Sequence, residues 1–142
     1  MNTSSTLGTP TERSVIWRNA VVAIVVTLVL NVVLHFVADA AGWIPDDLPE
    51  RAEQFGLPAV IMYTIVPLLG AALLLSLLVR WTSHPVIMYS LIAAVVFIAS
   101  LFAPLSIAGA STSFRTVLVL MHIIVAVIGS VILLRNVYDE PE

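Results

Sequence analysis

The chain has 142 residues, 60% of them hydrophobic and 11% charged, with a mean hydropathy of +1.06. Soluble domains carry about 45 to 50% apolar residues, so this is the composition of a membrane protein. A net charge of -3 with only six basic residues, all arginine, gives no basic face for nucleic acid. With no cysteine and no lysine, disulfides, thiol ligation, CxxC redox chemistry and Schiff-base cofactors are excluded.

Residues 1–12 are small, polar and aperiodic, and read as a disordered tail on the cytoplasmic side. Arg13, Trp17 and Arg18 flank the first apolar run, about 15–38, as interfacial anchors would. The alternative is a cleaved signal peptide ending near Ala38-Asp39-Ala40. The run exceeds the usual signal core of about 7 to 15 residues, which favours an uncleaved span. Within it Thr27, Asn31, His35 and Asp39 recur at a spacing of four and so share one helical stripe. Such a stripe suits protein, water or a ligand and not lipid. Below Thr27 only Ala23 and Asn19 extend it, so it reads as a half-pocket opening outward.

Residues 39–56 form the one substantial loop, broken by Gly42, Pro45, Pro49 and Gly56. Its five carboxylates, Asp39, Asp46, Asp47, Glu50 and Glu53, lack the ligand spacing and turn glycine of an EF-hand, so they read as a solvated acidic face. The second span, about 57–79, contains Pro67, which predicts a kink. A tight turn at 80–85, with His84 solvated in it, makes the second and third spans antiparallel neighbours. The third span, about 86–107, places Ser90, Ala93, Ala94, Phe97, Ser100 and Pro104 on one side, a predicted face for close helix packing. The fourth, about 114–134, carries Arg115, His122 and Gly129 at intervals of seven, predicting one shared face, and residues 136–142 form a second cytoplasmic tail.

The expected fold is an all-α, four-transmembrane-helix antiparallel bundle, since spans of about 21 to 24 residues cross a core of roughly 30 Å. Four arginines (Arg13, Arg18, Arg80 and Arg135) lie on the side of the termini, against Arg51 and Arg115 on the other. The positive-inside rule then puts both termini in the cytoplasm of a cell-membrane protein. Counting depth from the outer surface, Asn31 is about 12 Å below Asp39 and His122 about 10 Å below Arg115, with His35 roughly 6 Å deep. If the first and fourth helices touch, Asp39 pairs with Arg115 at the rim and His122 meets Asn31 or His35 beneath.

Three readings of this polar cluster follow. Its groups can tie the bundle together, each contact worth about 0.6 kcal/mol yet fixing which helices pair. His35 and His122 can instead ligate a b-type haem between two helices. Or Asp39, His35, Asn31 and His122 can form a relay or pocket for a proton or small solute. No HExxH or GxSxG motif occurs and no catalytic residue or metal site is assigned, which points away from an enzyme. The partners expected are the lipid bilayer and either further copies of the chain or other membrane proteins.

Asn31 followed by His35 and by Ala40, Ala41 and Gly42, then Ser100 with Pro104, Leu105 and Ser106, and finally Met121 with His122, resemble a family of small, uncharacterised four-helix bacterial membrane proteins. The resemblance runs from about Trp17 to Arg135. It implies four spans and an unassigned activity, and carries over no catalytic residue. The function expected is that of an accessory or structural membrane component, with a small transporter or sensor, or a haem-binding redox protein, as alternatives.

Overall fold

A computed structural model describes residues 10–45 and 55–138. The expected tails at 1–9 and 139–142, and acidic residues 46–54 of the loop, lie outside the described residues. The elements in chain order are α1 (Pro10–Ala40), α2 (Leu57–Trp81), α3 (Pro85–Ser100), the one-turn α4 (Phe102–Leu105), α5 (Thr112–Ile123) and α6 (Gly129–Leu133). A π-helical turn at Ile124–Ile128 joins α5 to α6 in one continuous rod. The architecture is all-helical among the described residues, with four segments long and apolar enough to cross a membrane: Arg13–Ala40, Leu57–Trp81, Pro85–Leu105 and Thr112–Leu133.

Local chemistry sets the helix ends. Helix α1 begins at Pro10, inside the stretch expected to be a tail, because proline's fixed φ suits a first helical turn. It stops at a Schellman motif: Trp43 N–H donates to the Ala38 carbonyl and Gly42 N–H to that of Asp39, both at 2.9 Å. Gly42 takes the left-handed conformation this demands, with φ of 68°. The 82–84 turn ends in Pro85 at the start of α3, and Ser111 caps α5 by accepting from Phe114 N–H at 3.2 Å. The chain leaves α6 through Asn136, in the left-handed region at φ of 62°.

Helix α1 is the centre of the bundle, packed along α2 on one side and along α5 and α6 on the other. Its interior face reads Ile16, Asn19, Ala20, Ala23, Thr27, Asn31 and Ala38, all buried. The small residues let neighbouring backbones come close, and Ile16 and Ala20 join Ala72, Leu75, Tyr89 and Leu133 in an apolar cluster. Asn19 donates through Nδ2 to the carbonyls of Leu133, at 3.3 Å, and Arg135, at 2.5 Å. It thereby serves orphan acceptors at the end of the last helix.

The third segment departs from the expected close-packed face. Helix α3 buries only Pro85 and Tyr89, while Ser90 and Ala94 are exposed. Ala93, Phe97, Ser100 and Pro104 line open space between the helices. The segment is also not continuous, because Pro104 cannot supply the N–H that would carry one α-helix through Leu101. In the fourth segment the π turn, with its i to i+5 pattern, adds in effect one residue per turn. The seven-residue repeat that put Arg115, His122 and Gly129 on one face therefore does not carry through to Gly129. A Cβ on Gly129 would lie 2.5 Å from Leu68 Cδ2, so only glycine lets α2 and α6 approach this closely without Leu68 moving.

Two outcomes are expected in detergent, read as thermal loss of the monodisperse species by size exclusion. Asn19→Leu strips a donor from two buried-end carbonyls and lowers stability by about 1 to 3 kcal/mol. Gly129→Leu overpacks Leu68 and lowers stability by about 1 to 3 kcal/mol, and Leu68→Ala in the same chain restores part of it.

Candidate functional site

The space left by α3 is a cavity of about 940 Å³ bordered by all four long segments. Helix α3 is tied to the fourth segment at one end by the hydrogen bond between Tyr89 Oη and Ser130 Oγ, at 3.0 Å. At its other end α4 packs on α5. Between these ties the walls stand apart. The cavity runs from Ile44, Phe55 and Ile107 at the loop end to Leu74, Tyr89 and Ser130 near the termini. Phe55 meets Phe114 edge-on, with ring centroids 5.1 Å apart, and both border its upper end. The lining is mainly Val, Ile, Leu, Phe and Ala, and no Asp, Glu, Lys or Arg is among the described residues that line it.

Asn31, His35 and His122 all border this cavity. Asn31 sits on the buried face of α1 with 2% of its surface exposed. Its Nδ2 donates to Thr64 Oγ1 on α2 at 2.9 Å, and that hydroxyl donates to its own helix at the Val60 carbonyl, 2.7 Å away. Because the Thr64 proton goes to Val60, the amide must turn its NH₂ to Thr64. Asn31 Oδ1 is then left buried with no hydrogen-bond partner.

His122 approaches its own helix, with Nδ1 2.7 Å from the Leu118 carbonyl oxygen. A carbonyl can only accept, so Nδ1 carries the proton and Nε2 of the neutral ring presents a bare lone pair. His35 is half-buried, its ring edge-on to Phe36 at 5.7 Å between centroids.

The expected contacts are thus redistributed. Helix α1 and the fourth segment are neighbours, and Asn31 and His122 reach one cavity, but Asn31 bonds to Thr64 and His122 to Leu118. Asp39 is exposed and makes no ion pair with Arg115 among the described residues. Arg115 donates instead from Nη2 to the Ile107 carbonyl at 2.9 Å, while its Nε is buried without a partner. It borders a separate hollow of about 290 Å³ with Thr112 and Thr116. The reason is reach: the connection at 106–111 folds back over the start of α5 and offers a carbonyl nearer than the carboxylate across the bundle. Nothing in the sequence singles out Thr64, which looks like any small hydroxyl in an apolar run, or Ser130, which gains meaning only beside Tyr89.

Several other hydroxyls are satisfied locally. Thr27, Ser76, Ser90, Ser100 and Thr116 each donate to a carbonyl three or four residues earlier at 2.7 to 2.8 Å. Pro67, on the cavity wall, cannot donate to the carbonyl of Tyr63, which also borders the cavity.

Residues 11–138 match a family of unknown function, DUF6069, and the chain belongs to that family. No curated protein and no solved structure matches it.

The Asn31 relay yields a test by substitution. Thr64→Val leaves both ends of a buried amide without partners and is expected to lower stability by about 1 to 3 kcal/mol. Asn31→Leu with Thr64→Val, which removes the polar pair together, is expected to recover part of that loss in the same melting assay.

Proposed function

We propose that this chain is a multi-pass protein of the cell membrane, with both termini cytoplasmic, acting as an accessory component that holds a small molecule in its interior cavity. Membrane residence is supported by the outward side chains of the four long segments, among them Val21, Val25, Val33, Leu69, Leu73, Val95, Ile98 and Val131, all exposed and all aliphatic. Hydrocarbon is the solvent such a surface fits. The orientation is supported by Arg13, Arg18, Arg80 and Arg135, exposed at the end of the termini. The chain's natural lack of cysteine makes this testable. An impermeant maleimide is expected to label Ala108→Cys in intact cells and Ser83→Cys only after permeabilisation; the reverse pattern overturns the orientation.

The observation that carries the holding role is the cavity itself. Its volume of about 940 Å³ lies near the top of the usual range for small-molecule sites, about 300 to 1,000 Å³. A few polar groups converge on an otherwise apolar wall, the usual arrangement of a binding pocket.

A b-type haem is the second reading, favoured by one detail: an Nδ1–H held by a backbone carbonyl is the arrangement that readies Nε2 of His122 as a ligand. Against it, the cavity wall offers no Arg or Lys for the haem carboxylates among its described residues. Protein released from haem-replete cells in mild detergent is expected to be colourless and to carry a small-molecule adduct in native mass spectrometry. A Soret band lost in His122→Ala would replace this reading with the haem one, and adduct-free, colourless protein would refute both.

A further inference from the structure

We infer that the cavity selects a neutral, mostly apolar molecule carrying a hydroxyl group, taken from the surrounding bilayer, and that His122 Nε2 accepts the hydrogen bond from that hydroxyl. The inference deepens the holding role proposed above and rests on it.

Three observations converge on this chemistry. The first is the sign of the polar wall. His122 must donate through Nδ1 to Leu118, so toward any ligand it can only accept. Asn31 uses its NH₂ on Thr64 and its Oδ1 is itself buried, so this amide offers the cavity no free donor. The Thr64 hydroxyl proton is already committed to Val60. At His122 the wall therefore presents an acceptor, and that position suits a molecule that brings a donor to it. A ketone, ether or ester brings none.

The second is charge. With no Asp, Glu, Lys or Arg among the described lining residues, a charged headgroup would enter without a counter-charge, at a high desolvation cost. A neutral hydroxyl avoids that cost.

The third is access. Helix α3 buries only Pro85 and Tyr89 and is fastened at its ends by the Tyr89 to Ser130 bond and by α4. Its middle, from Ile92 to Phe97, borders the cavity while Val95 faces outward with 67% of its surface exposed. Val96 and Tyr63 border the cavity and are themselves 60% and 69% exposed, so the cavity is open between α2 and α3, on the outward face that hydrocarbon would cover.

The test uses the full chain in phosphatidylcholine nanodiscs and a photoactivatable diazirine analogue of dodecanol, located by peptide mass spectrometry. Dodecanol and dodecyl methyl ether compete for the labelled site at equal mole fraction in the bilayer, which cancels their different partitioning. Labelling is expected on peptides containing Tyr89, Phe97 and Met121. Dodecanol is expected to compete about fivefold better than the ether, the ratio one net hydrogen bond provides. That preference is expected to vanish in His122→Phe.

Equal competition by the two probes in the unaltered protein overturns the hydroxyl assignment while leaving the cavity a binding site. A preference that survives in His122→Phe overturns His122 as the acceptor. Label confined to outward positions such as Val95 overturns the holding role itself. The first comparison needs no variant, so it stands even if His122→Phe fails to fold.

Discussion

A helix of bilayer length that carries an asparagine in its middle must bring that amide to a partner within the bundle, because hydrocarbon offers none. Here the partner is Thr64, and the bond of 2.9 Å from Asn31 fixes both the face that α1 turns inward and the depth at which α2 lies against it. Everything on the same stripe follows. Thr27 and Ala23 are buried along it, and Asn19 reaches the orphan carbonyls at the end of α6. Ala38 is buried on the opposite side of the relay, one residue before Asp39 emerges. Each polar group contributes little energy, on the order of 0.6 kcal/mol for a contact across helices, but the set admits one register.

The same constraint explains why the third segment is the loose one. Helices α1, α2 and the fourth segment hold one another through Asn31, Asn19 and the Gly129 to Leu68 approach. Helix α3 has only Tyr89 to offer, and uses it at one end on Ser130. A helix fixed at its ends and apolar along its middle leaves room, and the room is bordered by His122, whose second ring nitrogen the tight trio did not engage. Binding capacity and incomplete packing are here the same fact. Removing that acceptor would make a better-satisfied bundle and a poorer receptor.

The four segments and their antiparallel order were legible because hydropathy and turn residues such as Gly42 and Pro85 mark them without help from tertiary structure. The interior face of α1 was legible from Asn19 to Asn31, since polar residues at a spacing of four in an apolar run have only one place to go, but past Asn31 the 3.6-residue period brings Ala38 inward and leaves Asp39 exposed. Partner choice was not. Asn31 could face α2 or the fourth segment, and depth counting alone selected His122, because nothing in the sequence sets Thr64 apart from other hydroxyls. The Asp39 to Arg115 pairing failed for a related reason: residues at equal depth are candidates for contact, and a backbone carbonyl nearby outcompetes a distant carboxylate. The π turn at Ile124–Ile128 has no sequence signature beyond a run of β-branched residues, and it rotated Gly129 away from the face that a regular helix would give it.

The Asn31 stripe of α1 faces α2, and the chain's freedom from cysteine permits a direct measurement of that orientation. In membranes, Asn31→Cys with Thr64→Cys is expected to form an intramolecular disulfide on mild oxidation, while Val33→Cys with Thr64→Cys is not, since Val33 lies on the exposed side of α1. Efficient cross-linking from Val33 with none from Asn31 would contradict the orientation of α1, and with it the relay, the cavity wall and the role assigned to His122.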